Sequence, residues 1–280
     1  MINNFDLDEI LSINCDKCFG LCCVALYFSK SEGFPTDKEA GKTCINLSRN
    51  FTCKVHEDLN NKGLKGCIAY DCFGAGQKIA ESTYKGESWI DNPNNRKDIF
   101  NAFIVMRQLY EMLWYLKEAY RINDDIKIKN KLEKNILKIV SLTNMDGKEL
   151  LTINIDEYRN MINPLLHITS EGLRKKNCKS SKDKVKKAKR IAGRLNLMGM
   201  NFRNKSFIGE DLSGALIIAS DLRKCDLSYV DVLGADFRDA DLSGANLEKT
   251  IYLTQGQVNS AKGDKNTKLP ESLKRPIHWQ

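Results

Sequence analysis

The stretch Ala235–Lys249, ADFRDADLSGANLEK, contains three copies of a five-residue unit and decides the fold of the C-terminal part of the chain. Steps of five in both directions place an apolar or aromatic residue at twelve successive positions without a slip in register. A mostly small residue stands two positions before each of them, and Asp or Asn commonly stands between. The twelve large residues are Leu197, Phe202, Phe207, Leu212, Ile217, Leu222, Leu227, Val232, Phe237, Leu242, Leu247 and Tyr252.

A period of five matches neither the 3.6-residue period of an α-helix nor the two-residue period of a β-strand. It is expected of a chain that turns a corner every five residues and points one large and one small side chain inward on each side. Four sides close a square coil, so the repeat predicts about three coils and a stack about 15 Å long at the interstrand spacing. The Asp and Asn side chains are expected to accept hydrogen bonds from the turns. Because Lys205 and Glu210 occupy small-residue positions, we expect an irregular first coil.

Residues 195–252 resemble the pentapeptide-repeat family, whose motif is A(D/N)LXX. The resemblance implies a right-handed quadrilateral β-helix, and residues 253–280 are expected to cap its end. Some members of this family bind topoisomerases by imitating DNA, which requires a long acidic rod. Here nine acidic residues stand against six basic ones over about three coils, which argues against that activity.

Cysteines form the second prominent pattern, because eight of the ten lie within the first 72 residues. No secretory signal or apolar membrane span is recognisable, so we expect a reducing, cytoplasmic location, in which dense cysteines are more often metal ligands than disulfides. The predicted metal ligands are Cys15, Cys18, Cys22, Cys23, Cys44, Cys53, Cys67 and Cys72.

The spacing leaves the number of metal centres open. A C-x-x-C pair such as Cys15 and Cys18 can bring two thiolates to one ion through a tight turn. The adjacent Cys22 and Cys23 are expected to point in different directions and to serve one tetrahedral ion poorly. The eight cysteines therefore fit two four-thiolate sites, or one centre with additional thiols. His56, in the sequence C-K-V-H, has a spacing that allows ligation, but an ordinary surface histidine is the preferred interpretation.

Residues 13–80 resemble the YkgJ-like cysteine-cluster proteins, which are described as zinc- or iron-chelating. The matching segments are CDKCFGLCC at 15–23, CINL at 44–47, FTCKVH at 51–56 and GCIAYDC at 66–72. This resemblance implies cytoplasmic metal binding. Thiolate ligands suit zinc or an iron–sulfur cluster, and zinc is the expected metal with iron or iron–sulfur as the alternative.

The middle of the chain is expected to be helical, with helices over about 96–121, 125–142 and 156–166. The buried face of the first is predicted from its apolar rhythm, and Pro164 lies close to the expected end of the third. The predicted organisation is a multi-domain chain with a cysteine-rich metal-binding domain (1–80), a helical region (81–173), a basic linker (174–194), the repeat β-helix (195–252) and a C-terminal cap (253–280).

Charge is concentrated in the linker. The chain has a formal charge of +8, whereas residues 174–194 alone hold eleven basic residues and one acidic residue. We interpret this segment as a solvated linker or helix, with contact to an anionic partner as the alternative.

No catalytic site can be assigned. The glycines of Gly74-Ala75-Gly76 lack the other residues of a nucleotide-binding loop and are better explained by close backbone packing. Cys225 is expected to be a buried small residue, and Cys178 to lie in the linker. The predicted function is a metal-binding adaptor whose β-helix binds a protein partner, with an iron–sulfur or thiolate redox protein as the alternative and a topoisomerase-binding DNA mimic as a third.

Overall fold

The computed structural model describes residues 6–178 and 188–279. Two compact units are present. The first comprises Met1–Gly66 and Cys72–His167, and the second comprises Cys67–Asp71 and Ile168–Gln280. Short turns and short helices form the cysteine-rich part. Long helices form the middle, and five-residue turns form the C-terminal part.

Helices account for most of the regular structure in the described ranges. The helices are α1 (Leu7–Ile10), α2 (Leu21–Ala25), α3 (Lys65–Ala69), α4 (Ala75–Gln77), α5 (Arg96–Ile122), α6 (Ile126–Leu142), α7 (Gly147–Leu150), α8 (Ile155–Asn177) and α9 (Gln255–Ser260); 3-10 turns lie at Cys15–Lys17, Lys30–Glu32, His56–Asp58 and Ile277–Trp279, and a π-helical turn at Lys78–Thr83. A two-stranded antiparallel sheet joins β1 (Arg190–Ile191) to β2 (Arg194–Leu195).

The helical middle region is confirmed. The apolar face predicted for α5 is buried, with Phe103, Met106 and Leu113 at its centre. Helix α6 begins where the sequence indicates, because the Asp125 carboxylate caps it by accepting from the backbone N–H of Lys127 at 2.7 Å. Leu132 and Ile136 of α6 are buried, whereas Leu137 is 41% exposed.

Helix α8 is longer than predicted. We expected it to end near residue 166, but it continues through Pro164 to Asn177 and includes the first residues of the predicted linker. An internal proline removes one backbone hydrogen bond and costs about 3 kcal/mol. Side-chain contacts oppose this cost: the Arg174 guanidinium donates to Asp211 at 3.0 Å, and the buried Ser170 is hydrogen-bonded to Asp231.

The repeat forms coils of twenty residues. Single-residue parallel bridges join Asn201 to Asp221 and Asp221 to Asp241, and the same spacing recurs from Asn196 to Ile251. Each coil therefore has four five-residue sides, as the sequence predicts. The bridges are isolated single-residue contacts. Within the described residues, the two-residue strands β1 and β2 are therefore the longest strands.

The inward positions are also confirmed. All twelve large repeat residues from Leu197 to Tyr252 are at most 5% exposed, and small residues such as Ala215 and Ala240 are fully buried beside them. The Asp and Asn side chains accept from the backbone two residues on, as the Asp231 carboxylate does from the Leu233 N–H at 2.9 Å. This core stabilises the coil stack through the hydrophobic effect.

The expected irregularity of the first coil is not found. The parallel bridges from Ser206 to Asp226 and from Asp211 to Asp231 keep the twenty-residue spacing directly after the two atypical positions. The Phe202 and Phe207 N–H groups also donate to the backbone carbonyls of Asp221 at 2.8 Å and Asp226 at 2.7 Å. Lys205 is exposed, which removes any need to bury its ammonium. The backbone bonds and the large inward residues are enough to hold this coil.

The segment after Tyr252 packs against the same core. In α9, the Gln257 side-chain amide donates to the carbonyls of Val232 at 2.9 Å and Ala235 at 2.8 Å. Trp279 is fully buried, and its indole N–H donates to the Ala261 carbonyl at 3.0 Å. These contacts cover apolar repeat residues that would otherwise meet water.

Asp231 gives a pH-dependent prediction. It is 2% exposed, and burial raises the pKa of its carboxyl above the ordinary value. The folded state therefore holds this proton more tightly than the unfolded state, so stability increases as the pH falls from neutral through the raised pKa. We expect Asp231→Asn to remove this increase and to leave the protein at least as stable at neutral pH.

Asp221 supplies a control, because its pKa is shifted in the opposite direction to that of Asp231. The Arg223 guanidinium donates to its carboxylate at 2.8 Å and lowers the pKa of Asp221 to about 2. Asp221→Asn should therefore weaken the protein slightly at neutral pH, because a solvent-exposed ion pair contributes little. Urea midpoints measured between about pH 4.5 and pH 7 check both variants. If the urea midpoints of the wild type and of Asp231→Asn changed equally with pH, the raised pKa assigned to Asp231 would be wrong.

Cys225 is buried, as predicted, and it also has a polar contact. Its thiol donates to the Phe202 carbonyl at 2.9 Å, while Ser220 and Thr250 make the same contact to Leu197 at 2.7 Å and Leu227 at 3.0 Å. We expect Cys225→Ala to lose about 1 kcal/mol of unfolding free energy and Cys225→Ser to lose less. Thermal unfolding checks this order, which would be wrong if serine were the more damaging replacement.

Candidate metal centre

All ten cysteines are free thiols, and the first unit contains seven of the eight predicted ligands. Cys67 groups with the second unit. The seven lie on three pieces of chain: the segment from residue 15 to residue 23, a hairpin that contains Cys44 and Cys53, and the turn at Cys72.

The first piece begins with the 3-10 turn at Cys15–Lys17. The Asn14 side chain caps this turn by accepting from the Asp16 N–H at 3.1 Å. The Cys18 N–H then donates to the Cys15 carbonyl at 3.4 Å. This is the tight C-x-x-C turn that the spacing indicates, and it holds the backbones of both cysteines on one loop.

Helix α2 contains Cys22 and Cys23, whose Sγ atoms are 4.0 Å apart. We expected adjacent cysteines to serve one ion poorly, and this is the first correction at the site. Two thiolates bound to a tetrahedral zinc ion are about 3.8 Å apart, given a Zn–S bond of about 2.3 Å. The pair therefore has a separation that suits one ion.

Lys38 lies beside this helix. The antiparallel bridge between Phe28 and Lys38 turns the chain back, and the Lys38 ammonium donates to the carbonyls of Val24 at 3.0 Å and Leu26 at 2.5 Å. Its side chain is buried, so its amino group lies in the interior of the first unit. Lys38 could not be recognised from the sequence, because nothing in its local sequence distinguishes it from a surface lysine.

The hairpin with Cys44 and Cys53 is joined to the first piece in two ways. The Cys44 N–H donates to the Cys23 carbonyl at 3.0 Å. Phe51 packs between Phe19, at a centroid distance of 5.1 Å, and Trp89, at 5.9 Å. Aromatic packing and one backbone bond therefore bring a loop more than twenty residues away to α2.

The turn after Cys72 reaches the first piece through its glycines. A Cβ on Gly74 would lie 2.7 Å from the Ser12 carbonyl oxygen, and a Cβ on Gly76 would lie 2.9 Å from Cys18 Cβ. Gly74 also has a φ of +90°, which favours glycine. The interpretation of this glycine pair as close backbone packing is thus correct.

The thiols perturb one another. Although Cys15 is exposed as a residue, partial desolvation of its thiol is the main cause that raises its pKa to about 11, and the neighbouring Cys18, Cys72 and Cys23 raise it further. A hydrogen bond with Cys23, followed by burial, raises the pKa of Cys22 well above its ordinary value. The same bond, assisted by Lys38, lowers the pKa of Cys23. Burial raises the pKa of Cys53, and Cys23 and Cys44 add to it. All seven cysteines of the first unit are thus close enough to another thiol to repel it when ionised.

His56 approaches this group. Its Nε2 lies 3.9 Å from Cys15 Sγ, and its backbone N–H donates to the Cys53 carbonyl at 3.4 Å. The sequence favours an ordinary surface histidine at this position, although the C-K-V-H spacing also allows ligation. The raised pKa of Cys15 is the opposite of what a thiolate–imidazole nucleophile requires.

Within residues 6–178 and 188–279, no group of three or more His, Cys, Asp or Glu side chains is arranged as a complete metal site. The described geometry supplies pairs at near-ligand separation, Cys22 with Cys23 and Cys15 with His56. A complete ligand set would require other side chains to rotate toward one of these pairs.

Comparison with known proteins identifies the family. A family profile for pentapeptide repeats matches residues 218–251 with eight copies. "Uncharacterized protein YybG" of Bacillus subtilis (strain 168) is 46% identical over 270 residues, which cover 96% of this chain and 95% of the relative. The chain belongs to the YybG family. No solved structure matches it.

The remaining predictions for this YybG-family chain concern membranes and the basic segment. None of the described helices is long and apolar enough to cross a membrane. All of the basic residues from Lys179 to Lys187 lie outside the described residues, so the predicted linker at 174–194 is described only in part. Cys178 immediately follows α8. A Cβ added to Gly209 would lie 2.6 Å from the Cys178 Cβ.

Proposed function

We propose that this protein is a cytoplasmic metal-binding adaptor, in which the cysteine-rich region binds zinc and a short pentapeptide-repeat β-helix presents a surface to a protein partner. The expected β-helix is the right-handed quadrilateral form. Zinc is preferred, with iron or an iron–sulfur cluster as the alternative, because the ligands are thiolates. The YkgJ-like resemblance of residues 13–80 points to the same chemistry.

The grouping of the seven thiols of the first unit supports metal binding best. Thiolates that raise one another's pKa are unfavourable neighbours, and a bound cation would remove that repulsion. The 4.0 Å separation of the Cys22 and Cys23 sulfurs fits two ligands of one tetrahedral ion. When bound, the metal would cross-link segments that are otherwise held by few regular elements.

The repeat supports the adaptor part of the proposal. Each five-residue side has one large and one small inward residue and leaves three residues outside the core at fixed positions, on a backbone held by bonds between successive coils. A rigid surface of this kind loses little conformational entropy when it binds. Contact of the basic segment at 174–194 with an anionic partner is the secondary interaction that we propose.

Imitation of DNA is the weakest alternative. The acids of the coil are partly neutralised by their own neighbours, as Arg223 pairs with Asp221 at 2.5 Å and Arg238 pairs with Asp236 at 2.7 Å. We therefore expect this protein to give no protection of gyrase against a quinolone in a supercoiling assay.

The deciding experiment is anaerobic purification of the full chain, followed by elemental analysis and a visible spectrum. We expect a colourless protein that contains zinc. A brown protein with iron and acid-labile sulfide would favour the redox alternative. A reduced protein that contains no metal and whose melting temperature does not respond to added zinc or ferrous iron would refute the proposal.

A further inference from the structure

His56 lies at the exposed edge of the cysteine group. Both Cys15 and His56 are exposed, and they meet across 41 residues of chain with Sγ and Nε2 3.9 Å apart. No ion pair or helical repeat explains why an imidazole nitrogen should approach this thiol. The Cys18 thiol donates to the Cys15 carbonyl at 3.3 Å, so both cysteines of the C-x-x-C turn lie together at this edge.

The separation can be compared with that of two ligands on one ion. For a tetrahedral zinc ion with a Zn–S bond of about 2.3 Å and a Zn–N bond of about 2.0 Å, sulfur and nitrogen are about 3.5 Å apart. The observed pair is a few tenths of an ångström wider, which a small side-chain rotation would close. The relevant nitrogen is Nε2, a common metal ligand of histidine.

The local backbone places His56 for this role. The backbone N–H of His56 donates to the Cys53 carbonyl, and His56 is the first residue of a 3-10 turn. Phe51 anchors the preceding residues against Phe19, which lies next to Cys18 in the chain. The hairpin that contains Cys53 therefore returns the imidazole to the first C-x-x-C turn.

We propose that Cys15 and His56 bind one borderline transition-metal ion together, through Sγ and Nε2, and form the solvent-facing half of a mixed thiolate–imidazole site. This assignment rests on the metal-binding function proposed above and adds a histidine ligand to it. Binding releases the Cys15 proton to solvent and requires the neutral imidazole. Because this half is exposed, the ion can be exchanged with external ligands.

The test uses cobalt(II) as a spectroscopic substitute in the full-length, reduced chain. Tetrahedral cobalt bound to thiolates absorbs in the visible and near-ultraviolet ranges, and its bands change with the number of sulfur ligands. Loss of an outer-shell partner alone commonly costs about 10- to 100-fold in metal affinity, so His56→Gln should weaken cobalt binding at least about tenfold. Its visible bands should also shift.

His56→Cys is the rescue variant, and it should restore tight binding with one additional thiolate charge-transfer contribution. His167→Gln is the matched control, because His167 is exposed on α8, outside the cysteine-rich segment 15–72. Circular dichroism confirms that each variant keeps its helices. Unchanged affinity and spectrum in His56→Gln would overturn the histidine assignment alone, whereas a wild-type chain that binds neither cobalt nor zinc would overturn the proposed function with it.

Discussion

Replacing Trp279 with alanine is expected to lower the free energy of unfolding of the repeat unit by about 3–5 kcal/mol, the range found for large aromatic residues in protein cores. The indole is fully buried. It packs so closely on Gly263 that a Cβ there would lie 2.4 Å from the ring. Its loss would leave a cavity and would also remove the hydrogen bond to Ala261.

Hydrogen exchange of the coil amides isolates this effect from the first unit, because the whole chain need not unfold in a single transition. Ile277→Ala is the control, since Ile277 is two residues away and 79% exposed. It should change stability by less than about 0.5 kcal/mol. If both variants retained the same protection in the last coil, the role assigned to Trp279 would be wrong.

Cys18→Ser has the second large expected effect, on the first unit. Under the proposed function, this variant should lose bound metal and more than about 4 kcal/mol of stability, because structural zinc contributes about 10–16 kcal/mol in zinc-finger peptides. Gly76 has no Cβ and so leaves room for the side chain of Cys18, and a serine at position 18 fits the same space. A purely steric explanation would therefore predict only a small change.

A chelator provides the second arm of this test. Metal removal from the wild type should lower its melting temperature to that of Cys18→Ser, and the same chelator should leave the variant unchanged, because both treatments remove one interaction. Cys225→Ser, in the repeat core, should keep full metal content. Equal destabilisation of the wild type and Cys18→Ser by the chelator would exclude Cys18 as a ligand.

The repeat could be predicted closely because its information is local. Each unit specifies one large residue, one small residue and one Asp or Asn, and twenty-residue bonding follows from four such units. In the first coil, the local pattern predicted an irregularity that the structure does not have. Exposed Lys205 does not disturb the coil, since the backbone bonds of Phe202 and Phe207 hold it in place.

The end of α8 and the details of the cysteine site depend on distant contacts. Pro164 indicates a helix end, yet the pairing of Arg174 with Asp211 lies beyond it and involves a residue 37 positions away. His56 and Cys15 are separated even further. The rotamers of Cys22 and Cys23 depend on packing around α2, which cysteine spacing does not encode. Local patterns could therefore identify the ligand candidates without indicating which of them meet.

The five-residue side has a consequence for changes in chain length. A deletion of one unit would keep the alternation of large and small inward residues, but every later residue would move by a quarter turn around the coil axis. Asp231 would then leave the side on which Asp211 and Asp231 contact Arg174 and Ser170 of α8. A deletion of twenty residues would return each later residue to its original side. Length variation that preserves the surface of such a protein should therefore occur in whole coils, so that the smallest neutral insertion is four motifs and not one.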